Sequence, residues 1–350
     1  MPILLKDFTT DELHGQLAPL GVPIKLTRQV QMAALLAGEI PQSVRGRWTR
    51  LLAAVRQAAR VPHLTLVERA VSPADGFAKY LFEGDGPDRF EAVRIPLLHR
   101  PEDPKYIVCA SSQVGCALGC AFCATGRMGF RRNLQTWEIV DQVVQVQADS
   151  PHPVRGVVFM GMGEPMLNYD RVIRAARILS EPCGMAISGK AITLSTAGIV
   201  PGIRRFTAER HPFRLVVSLT SAEPEQRRAL IPVEKMYPLA EVMDAVRAYQ
   251  AATGRRVTLA WTMISGVNTR PEDARALARL TAGMPIKLNL IDVNDPTGRF
   301  QPPSADERNA FRDSLRAELA MPVARRYSGG AAIHAACGML AANEDARPPK

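Results

Sequence analysis

From position 106 onward, the sequence alternates between short apolar runs and longer segments whose apolar residues follow a helical period. The runs typical of strands are 106–109, 156–160, 192–195, 215–219, 257–263 and 287–293. The helical segments are 136–148, 169–179, 239–252, 270–282 and 306–319, with a short one expected after Pro201. This alternation indicates parallel strands joined by right-handed helical crossovers. Six such units fit an open doubly wound sheet or an incomplete barrel, and both bind ligands at the carboxyl ends of their strands.

The chain before this α/β region has two further patterns. Residues 64–67, 78–82 and 90–95 are typical of short strands, and the segment 84–87 predicts a turn between the last two. Residues 1–70 are mainly helical in period and carry several basic side chains, namely Arg45, Arg47, Arg50, Arg56 and Arg60. The sequence therefore predicts a helical appendage at 1–70 and a core at 71–345 that opens with antiparallel strands.

Charge and hydropathy limit the classes of function. The 44 Lys and Arg residues exceed the 34 Asp and Glu residues, which gives a formal net charge of +10. Such a balance favours a polyanionic partner, with nucleic acid first and an anionic membrane surface second. No apolar run approaches the ~20 residues that a membrane span needs. Charge at Lys6 and Asp7 comes too early for a signal peptide, so we expect a cytoplasmic protein.

Cys116, Cys120 and Cys123 form a C-x3-C-x2-C pattern after the first strand of the α/β region. Three thiolates on one loop suit a soft metal centre. A tetrahedral zinc site would need a fourth ligand such as a histidine. An iron–sulfur cluster held by three cysteines leaves one iron open to an outside ligand. Because no histidine lies near in sequence, we favour the iron–sulfur cluster and keep zinc as the alternative.

The same cysteines lie in a longer segment, Cys109 to Gly129, that resembles the radical S-adenosylmethionine RNA adenine methyltransferases of the RlmN and Cfr type. The similarity continues in the same order through 132–134, 138–140, 160–165, 193–196, 230–233, 289–294 and 335–338. The resemblance implies an incomplete (βα)6 barrel, a [4Fe-4S] cluster bound by Cys116, Cys120 and Cys123, and S-adenosylmethionine bound to the open iron.

The resemblance also implies which residues bind S-adenosylmethionine. A Gly-Glu-Pro segment would hold its amino group, and residues at the ends of later strands would bind the ribose or the methionine part. These residues are Gly163, Glu164, Pro165, Ser195, Ser218, Leu219, Thr220 and Asn294. Taken alone, each fits equally well as a turn residue or a polar group satisfied within the protein.

Three further residues carry the reaction that the resemblance implies. Cys337 would accept a methyl group from one S-adenosylmethionine. A radical generated from a second one would take hydrogen from that methyl group, and the resulting methylene radical would add to an adenine carbon, C2 in preference to C8. Cys109 would then release the product and leave a Cys109–Cys337 disulfide, with Glu91 as the proton acceptor. Cys183 matches no family position, and we interpret it as structural.

The resemblance names 23S ribosomal RNA and transfer RNA as substrates and a flavodoxin or ferredoxin as the reductant. It also relates residues 1–70, loosely, to the RNA-binding domain of the family. Beside the cysteines lie three basic residues that we expect to contact phosphates, namely Arg127, Arg131 and Arg132.

The chain departs from the family at four positions, which are Thr220, Ala331, Ala332 and Met339. Histidine, two acidic residues and glutamine are usual there. These departures leave the cluster and the two reactive cysteines intact. They keep open an enzyme of the same fold that acts on another RNA or on a small molecule. A non-catalytic RNA-binding protein with a structural metal is the remaining alternative.

Overall fold

The computed structural model describes residues 2–44, 48–97, 102–319 and 323–342. The basic positions Arg45 and Arg47, and the last residues of the predicted core, 343–345, lie outside these ranges.

The strands form one large sheet and two small pairs. In chain order they are β1 (Ile3–Leu4), β2 (Ala59–Arg60), β3 (Thr65–Val71), β4 (Ala78–Glu83), β5 (Arg89–Pro96), β6 (Tyr106–Cys109), β7 (Gln113–Gly115), β8 (Phe130–Asn133), β9 (Val154–Phe159), β10 (Ile192–Thr196), β11 (Arg214–Ser218), β12 (Val257–Met263), β13 (Ile286–Asp292) and β14 (Val323–Arg325). The large sheet has the order β14-β13-β12-β11-β10-β9-β6-β5-β4-β3, while β1 pairs with β2 and β7 with β8.

The order of the parallel strands decides between the two predicted architectures. Neighbours from β6 through β9 to β14 are all parallel and follow one another in chain order. A doubly wound sheet reverses its strand order at a switch point, and the described strands contain no such reversal. The incomplete barrel is therefore confirmed. The antiparallel lead-in is also present, as β3, β4 and β5, and β14 adds a parallel strand that the sequence pattern missed.

Helices precede the large sheet and, from β9 onward, alternate with its parallel strands. They are α1 (Thr10–Leu17), α2 (Ile24–Leu36), α3 (Thr49–Ala58), α4 (Ala124–Arg127), α5 (Thr136–Ala148), α6 (Tyr169–Ser180), α7 (Val200–Glu209), α8 (Pro224–Leu230), α9 (Leu239–Thr253), α10 (Pro271–Leu280) and α11 (Ala305–Leu319). The segment near Pro201 forms a helix of 10 residues rather than a short one, because proline in a first turn lacks only an N–H that would be unpaired there. Among the described helices, none is long and apolar enough to cross a membrane.

The first three helices pack around an apolar cluster of their own. Leu13 and Leu17 of α1, Leu26 and Val30 of α2, and Val55 of α3 are fully buried in it. After α3, β2 pairs with β1, and the following strand, β3, already belongs to the main sheet. The antiparallel lead-in therefore begins within the range that the sequence pattern placed in the appendage.

A buried ion pair joins the helical region to the barrel. Lys6 Nζ lies 2.5 Å from Asp141 Oδ1, and neither side chain is exposed. Asp141 Oδ2 accepts hydrogen bonds from the Leu64 N–H at 2.7 Å and from Gln145 Nε2 at 2.8 Å. Because both carboxylate oxygens are engaged inside the protein, the pair fixes Lys6 against α5.

The Asp141→Asn variant should lose about 3–5 kcal/mol of stability, because it leaves a buried ammonium without its counter-ion. Urea denaturation followed by circular dichroism measures the loss. Asp170→Asn is the matched control, since Asp170 is 74% exposed in its pair with Arg205 and exposed pairs contribute about 1 kcal/mol or less. Equal losses in the two variants would contradict the role of the buried pair.

Candidate active site

The carboxyl ends of the parallel strands surround a cavity of about 170 Å³, which we call the mouth cavity. Residues from the ends of β9, β10, β11 and β13 form its wall, together with the cysteine loop and the C-terminal part of the chain. Most of the predicted site residues line it: Cys116, Cys120, Cys123, Gly163, Glu164, Pro165, Ser195, Ser218, Asn294 and Cys337. The fold thus brings these distant positions together at the edge where ligands bind in such barrels.

The loop after β9 presents Glu164 to the mouth cavity. Gly163 has a φ of +97°, and a Cβ at this position would lie 2.5 Å from the Cβ of Gln113, so the turn requires glycine. The Glu164 carboxylate accepts hydrogen bonds from the N–H groups of Met166 at 3.0 Å and Ala197 at 2.8 Å. Burial raises the pKa of Glu164 to about 7, against these hydrogen bonds. A carboxylate has about four acceptor sites, so Glu164 keeps capacity for a cationic group of a ligand.

The loop between β7 and α4 carries the three clustered cysteines. The Cys116 N–H donates to the Gly129 carbonyl at 3.0 Å, and the Cys123 N–H donates to the Cys120 carbonyl at 3.1 Å. Gly115, at the start of the loop, has a φ of +71°, and a Cβ there would lie 1.8 Å from the Gly129 oxygen. Glycine at this position therefore lets the β7–β8 hairpin close beside the cysteines.

The donor set fits a polynuclear cluster rather than a single metal ion. Across the described ranges, no three His, Cys, Asp or Glu side chains converge closely enough to hold one ion, and no described histidine lines the mouth cavity. Zinc needs four donors within about 2.3 Å of one point, whereas thiolates of an iron–sulfur cluster bind different irons. Burial raises the pKa of Cys116 to about 12, so metal binding is what would ionise this thiol.

A second pocket, which we call the sulfur pocket, adjoins the mouth cavity. Its lining includes Cys109, Met160, Arg326 and Cys337, and Met160 and Cys337 also line the mouth cavity. Burial and the nearby Cys337 raise the pKa of Cys109 to about 12, while the Arg326 charge acts in the opposite direction. Cys337 packs against inward-facing side chains of three barrel strands, which are Val216, Ala260 and Ile291. The structure thus brings the two predicted reactive cysteines together.

Cys337 belongs to a C-terminal segment, residues 326–342, that returns across the open side of the barrel. Asp75 Oδ2, in the turn between β3 and β4, accepts hydrogen bonds from the Gly330 N–H at 2.8 Å and the Tyr327 hydroxyl at 3.1 Å. Asn294 Nδ2 donates to the Cys337 carbonyl at 3.4 Å. The antiparallel strands and the end of β13 therefore hold this segment in place from two sides.

Glu91 occupies a different place from the one expected of a proton acceptor in the site. Its side chain is fully buried, and it lines neither the mouth cavity nor the sulfur pocket. Glu91 Oε1 lies 3.0 Å from Lys79 Nζ, and Oε2 accepts a hydrogen bond from the Ala341 N–H at 2.8 Å. In this arrangement Glu91 anchors the C-terminal segment, and contact with a substrate would require Ala341 to move away.

Leu219 and Thr220 also lie behind the cavity wall rather than in it, and both side chains are fully buried. Their N–H groups donate to the Ala260 carbonyl, and the Thr220 carbonyl accepts a hydrogen bond from Asn268 Nδ2 at 2.7 Å. Thr220 has a φ of +60°, which is strained for a β-branched residue. With these backbone groups engaged, the two residues can position Ser218, which does line the cavity.

The three arginines expected to contact phosphates are all paired within the protein. The pairs are Arg127 with Asp295 at 3.3 Å, Arg131 with Asp88 at 3.1 Å and Arg132 with Glu138 at 2.8 Å. Their charges are therefore compensated by carboxylates, and the geometry gives this expectation no support.

Asp75, Lys79 and Arg326 contact Gly330, Glu91 and Met160, respectively, but were not singled out from the sequence. Asp75 and Arg326 contact partners far along the chain, which a local pattern does not reveal. The pairing of Lys79 could have been predicted from the strand register. Lys79 is a diagonal neighbour of Glu91 in the β4–β5 pair, and opposite charges on adjacent strands pair at this spacing.

Comparison with known proteins agrees with the fold. The Radical SAM superfamily profile matches residues 111–280. A crystal structure of a radical SAM methyltransferase from Sphaerobacter thermophilus aligns with a TM-score of 0.87 and 37% identity, covering 98% of this chain and 100% of that one. This likeness extends over the N-terminal helices as well as the barrel.

Relatives in sequence point to the same group. The chain is 51% identical to a probable RNA methyltransferase of Myxococcus xanthus (strain DK1622), over 97% of this chain and 94% of the relative. It is 41% identical to the dual-specificity RNA methyltransferase RlmN of Syntrophobacter fumaroxidans, over 97% of this chain and 98% of the relative. The chain therefore belongs to the RlmN-type RNA methyltransferase family of radical S-adenosylmethionine enzymes.

Proposed function

We propose that this enzyme methylates an adenine carbon in RNA, C2 in preference to C8, through an S-methylcysteine formed on Cys337. The observation that carries the proposal is the position of two thiols. Cys109 and Cys337 line the sulfur pocket, and Cys337 also lines the mouth cavity. Direct hydrogen abstraction from a substrate needs no such pair, whereas release of a sulfur-bound carbon by disulfide formation needs both.

The mouth cavity would hold the cluster and S-adenosylmethionine. Cys116, Cys120 and Cys123 would bind three irons, and the Glu164 carboxylate would receive the ammonium group of the methionine part. When bound, the cluster and S-adenosylmethionine supply a 5′-deoxyadenosyl radical, chemistry that side chains alone do not provide. Polar groups at later strand ends would orient the rest of the cofactor, namely Ser195, Ser218 and Asn294.

Cys337 would both accept the methyl group from S-adenosylmethionine and pass the methylene carbon to the adenine. It can do both because it lines the mouth cavity and the sulfur pocket. Its apolar neighbours, Val216 and Ala260 among them, limit access of water to the sulfur, which suits a reactive intermediate. Glu91 holds the segment that carries Cys337 by accepting a hydrogen bond from Ala341. To act as a proton acceptor, Glu91 would have to release the Ala341 N–H and accept a hydrogen bond from the substrate instead.

We propose 23S ribosomal RNA and transfer RNA as the substrates to test first, because the related RlmN enzymes are named dual-specificity RNA methyltransferases. The net charge of +10 supports an RNA partner. Ala331 and Ala332 are exposed on the C-terminal segment and replace acidic residues usual in the family. This change makes the surface near Cys337 less negative, and we expect it to alter the preference among RNA targets.

We assign RNA binding also to the helical region within residues 1–70. Its exposed arginines include Arg50, Arg56 and Arg60, which suit contacts to the phosphate backbone. A flavodoxin or ferredoxin would deliver the electron to the cluster, and the cytoplasm is the compartment where these RNAs and reductants occur.

The Cys109→Ala variant should accumulate a covalent protein–RNA adduct, because the thiol that releases the product is gone. The Cys337→Ala variant should form neither the adduct nor S-methylcysteine. Denaturing gels of reactions with labelled RNA measure the adduct, and peptide mass spectrometry measures methylation at position 337.

Cys183→Ala is the control for these variants. Cys183 lies 3.4 Å from the Thr10 hydroxyl, in contact with the helical region rather than the site, so its variant should behave as the wild type. Unmodified Cys337 in wild-type protein that holds its cluster and binds S-adenosylmethionine would refute the methyl-carrier function and favour another radical reaction.

The Glu164→Gln variant should bind S-adenosylmethionine about 10- to 100-fold more weakly, because a neutral amide replaces the carboxylate that pairs with the ammonium group. Equilibrium dialysis with the cluster-loaded protein measures the affinity. Binding of 5′-methylthioadenosine, which lacks the amino-acid part, should stay unchanged and serves as the control. Equal weakening for both ligands would place Glu164 elsewhere in the binding site or indicate a disturbed fold.

A further inference from the structure

Arg326 reaches across the barrel mouth to the sulfur pocket. It follows β14 directly, and its N–H donates to the Leu290 carbonyl of β13 at 2.8 Å. Its Nη1 lies 2.9 Å from the sulfur of Met160, which follows β9. The backbone contact therefore fixes the main chain of Arg326, and the sulfur contact holds its guanidinium at the pocket that the two cysteines line.

Arg326 is the one cation among the described residues that line the sulfur pocket. Within the described part of the chain, no carboxylate forms an ion pair with it, whereas the adjacent Arg325 pairs with Asp292 at 2.5 Å. The other titratable side chains in the pocket lining are Cys109, Cys123, Tyr327 and Cys337. Its positive charge is therefore available to the sulfur atoms.

Cys109 is poorly placed to ionise without help. It is only 7% exposed, and a thiolate in such surroundings loses most of its hydration. Burial raises the pKa of Cys109 to about 12, and Arg326 is the charged group that lowers it. The attack that releases the product requires a thiolate, because the neutral thiol is a weak nucleophile.

We propose that Arg326 is a positioning residue for product release, whose guanidinium stabilises the Cys109 sulfur as it becomes a thiolate and attacks Cys337. This inference rests on the proposed function. In the step, the Cys109 sulfur bonds to the Cys337 sulfur and the bond from that sulfur to the methylene carbon breaks. The electron pair passes to the carbon, which takes up a proton and becomes the methyl group of the product. The Cys109 thiolate and the thioether sulfur of Cys337 together lose two electrons as they become a disulfide, and the carbon gains both, so the step needs no further oxidant.

The test compares Arg326→Gln and Arg326→Lys with the matched control Arg325→Gln in cluster-loaded enzyme, using single-turnover reactions on labelled RNA. In Arg326→Gln, methylation of Cys337 should match the wild type. The protein–RNA adduct should decay about 10- to 100-fold more slowly, the range expected for a lost contact to a charged group. The pH at which decay reaches half its maximum should rise. Arg326→Lys should recover part of the rate, and Arg325→Gln should behave as the wild type.

Two results would overturn the role of Arg326: adduct decay at the wild-type rate in Arg326→Gln, or loss of Cys337 methylation in that variant with cluster and cofactor binding intact. If Arg326→Gln does not fold, Arg326→Met replaces it, with Arg326→Lys again expected to decay faster. Failure of the proposed function looks different, because wild-type Cys337 would then stay unmethylated and Cys109→Ala would form no adduct.

Discussion

The parallel run of strands in unbroken chain order is the constraint on which the rest of the molecule depends. Each parallel strand of the large sheet from β6 to β14 lies beside the next strand of that sheet in chain order. All their carboxyl ends therefore face one edge, and the curved sheet brings the ends of β9 and β14 near each other. The contact between Arg326, after the last strand, and Met160, after β9, exists only in such a curved sheet. A flat sheet of the same strands would place these residues far apart.

Many helices and strands of this fold could be predicted because their local sequence patterns are long and regular. The bounds of α5 and β12 agree with the sequence patterns, because one has a capping box and a continuous helical period and the other a run of β-branched and apolar residues. β14 spans only three residues, too few to show any period. α8 lies between Pro224 and Leu230 in a segment rich in charge, where apolar periodicity is weak.

Some residues of the candidate site could likewise be predicted from the sequence, and others could not. The cysteine loop and the Gly-Glu-Pro turn were readable because each is a contiguous motif whose glycines the backbone requires. The places of Glu91, Leu219 and Thr220 could not be predicted, since whether a residue in or just after a strand faces the cavity or the wall depends on its neighbours in the sheet. The partners of Arg127, Arg131 and Arg132 were likewise hidden, because a basic run does not reveal which carboxylates fold against it.

The return of residues 326–342 across the barrel bears on how the protein is made. Every strand of the sheet that the structure describes precedes this segment in the chain, so the ribosome synthesises these strands before it synthesises Cys337. Asp75, in the turn between β3 and β4, and Glu91, in β5, are synthesised before the Gly330 and Ala341 N–H groups that donate hydrogen bonds to their carboxylates. A nascent chain that ends before residue 326 contains the described strands of the barrel and the three clustered cysteines, but it lacks Cys337. The order of translation thus places synthesis of the described barrel strands before synthesis of the proposed methyl carrier.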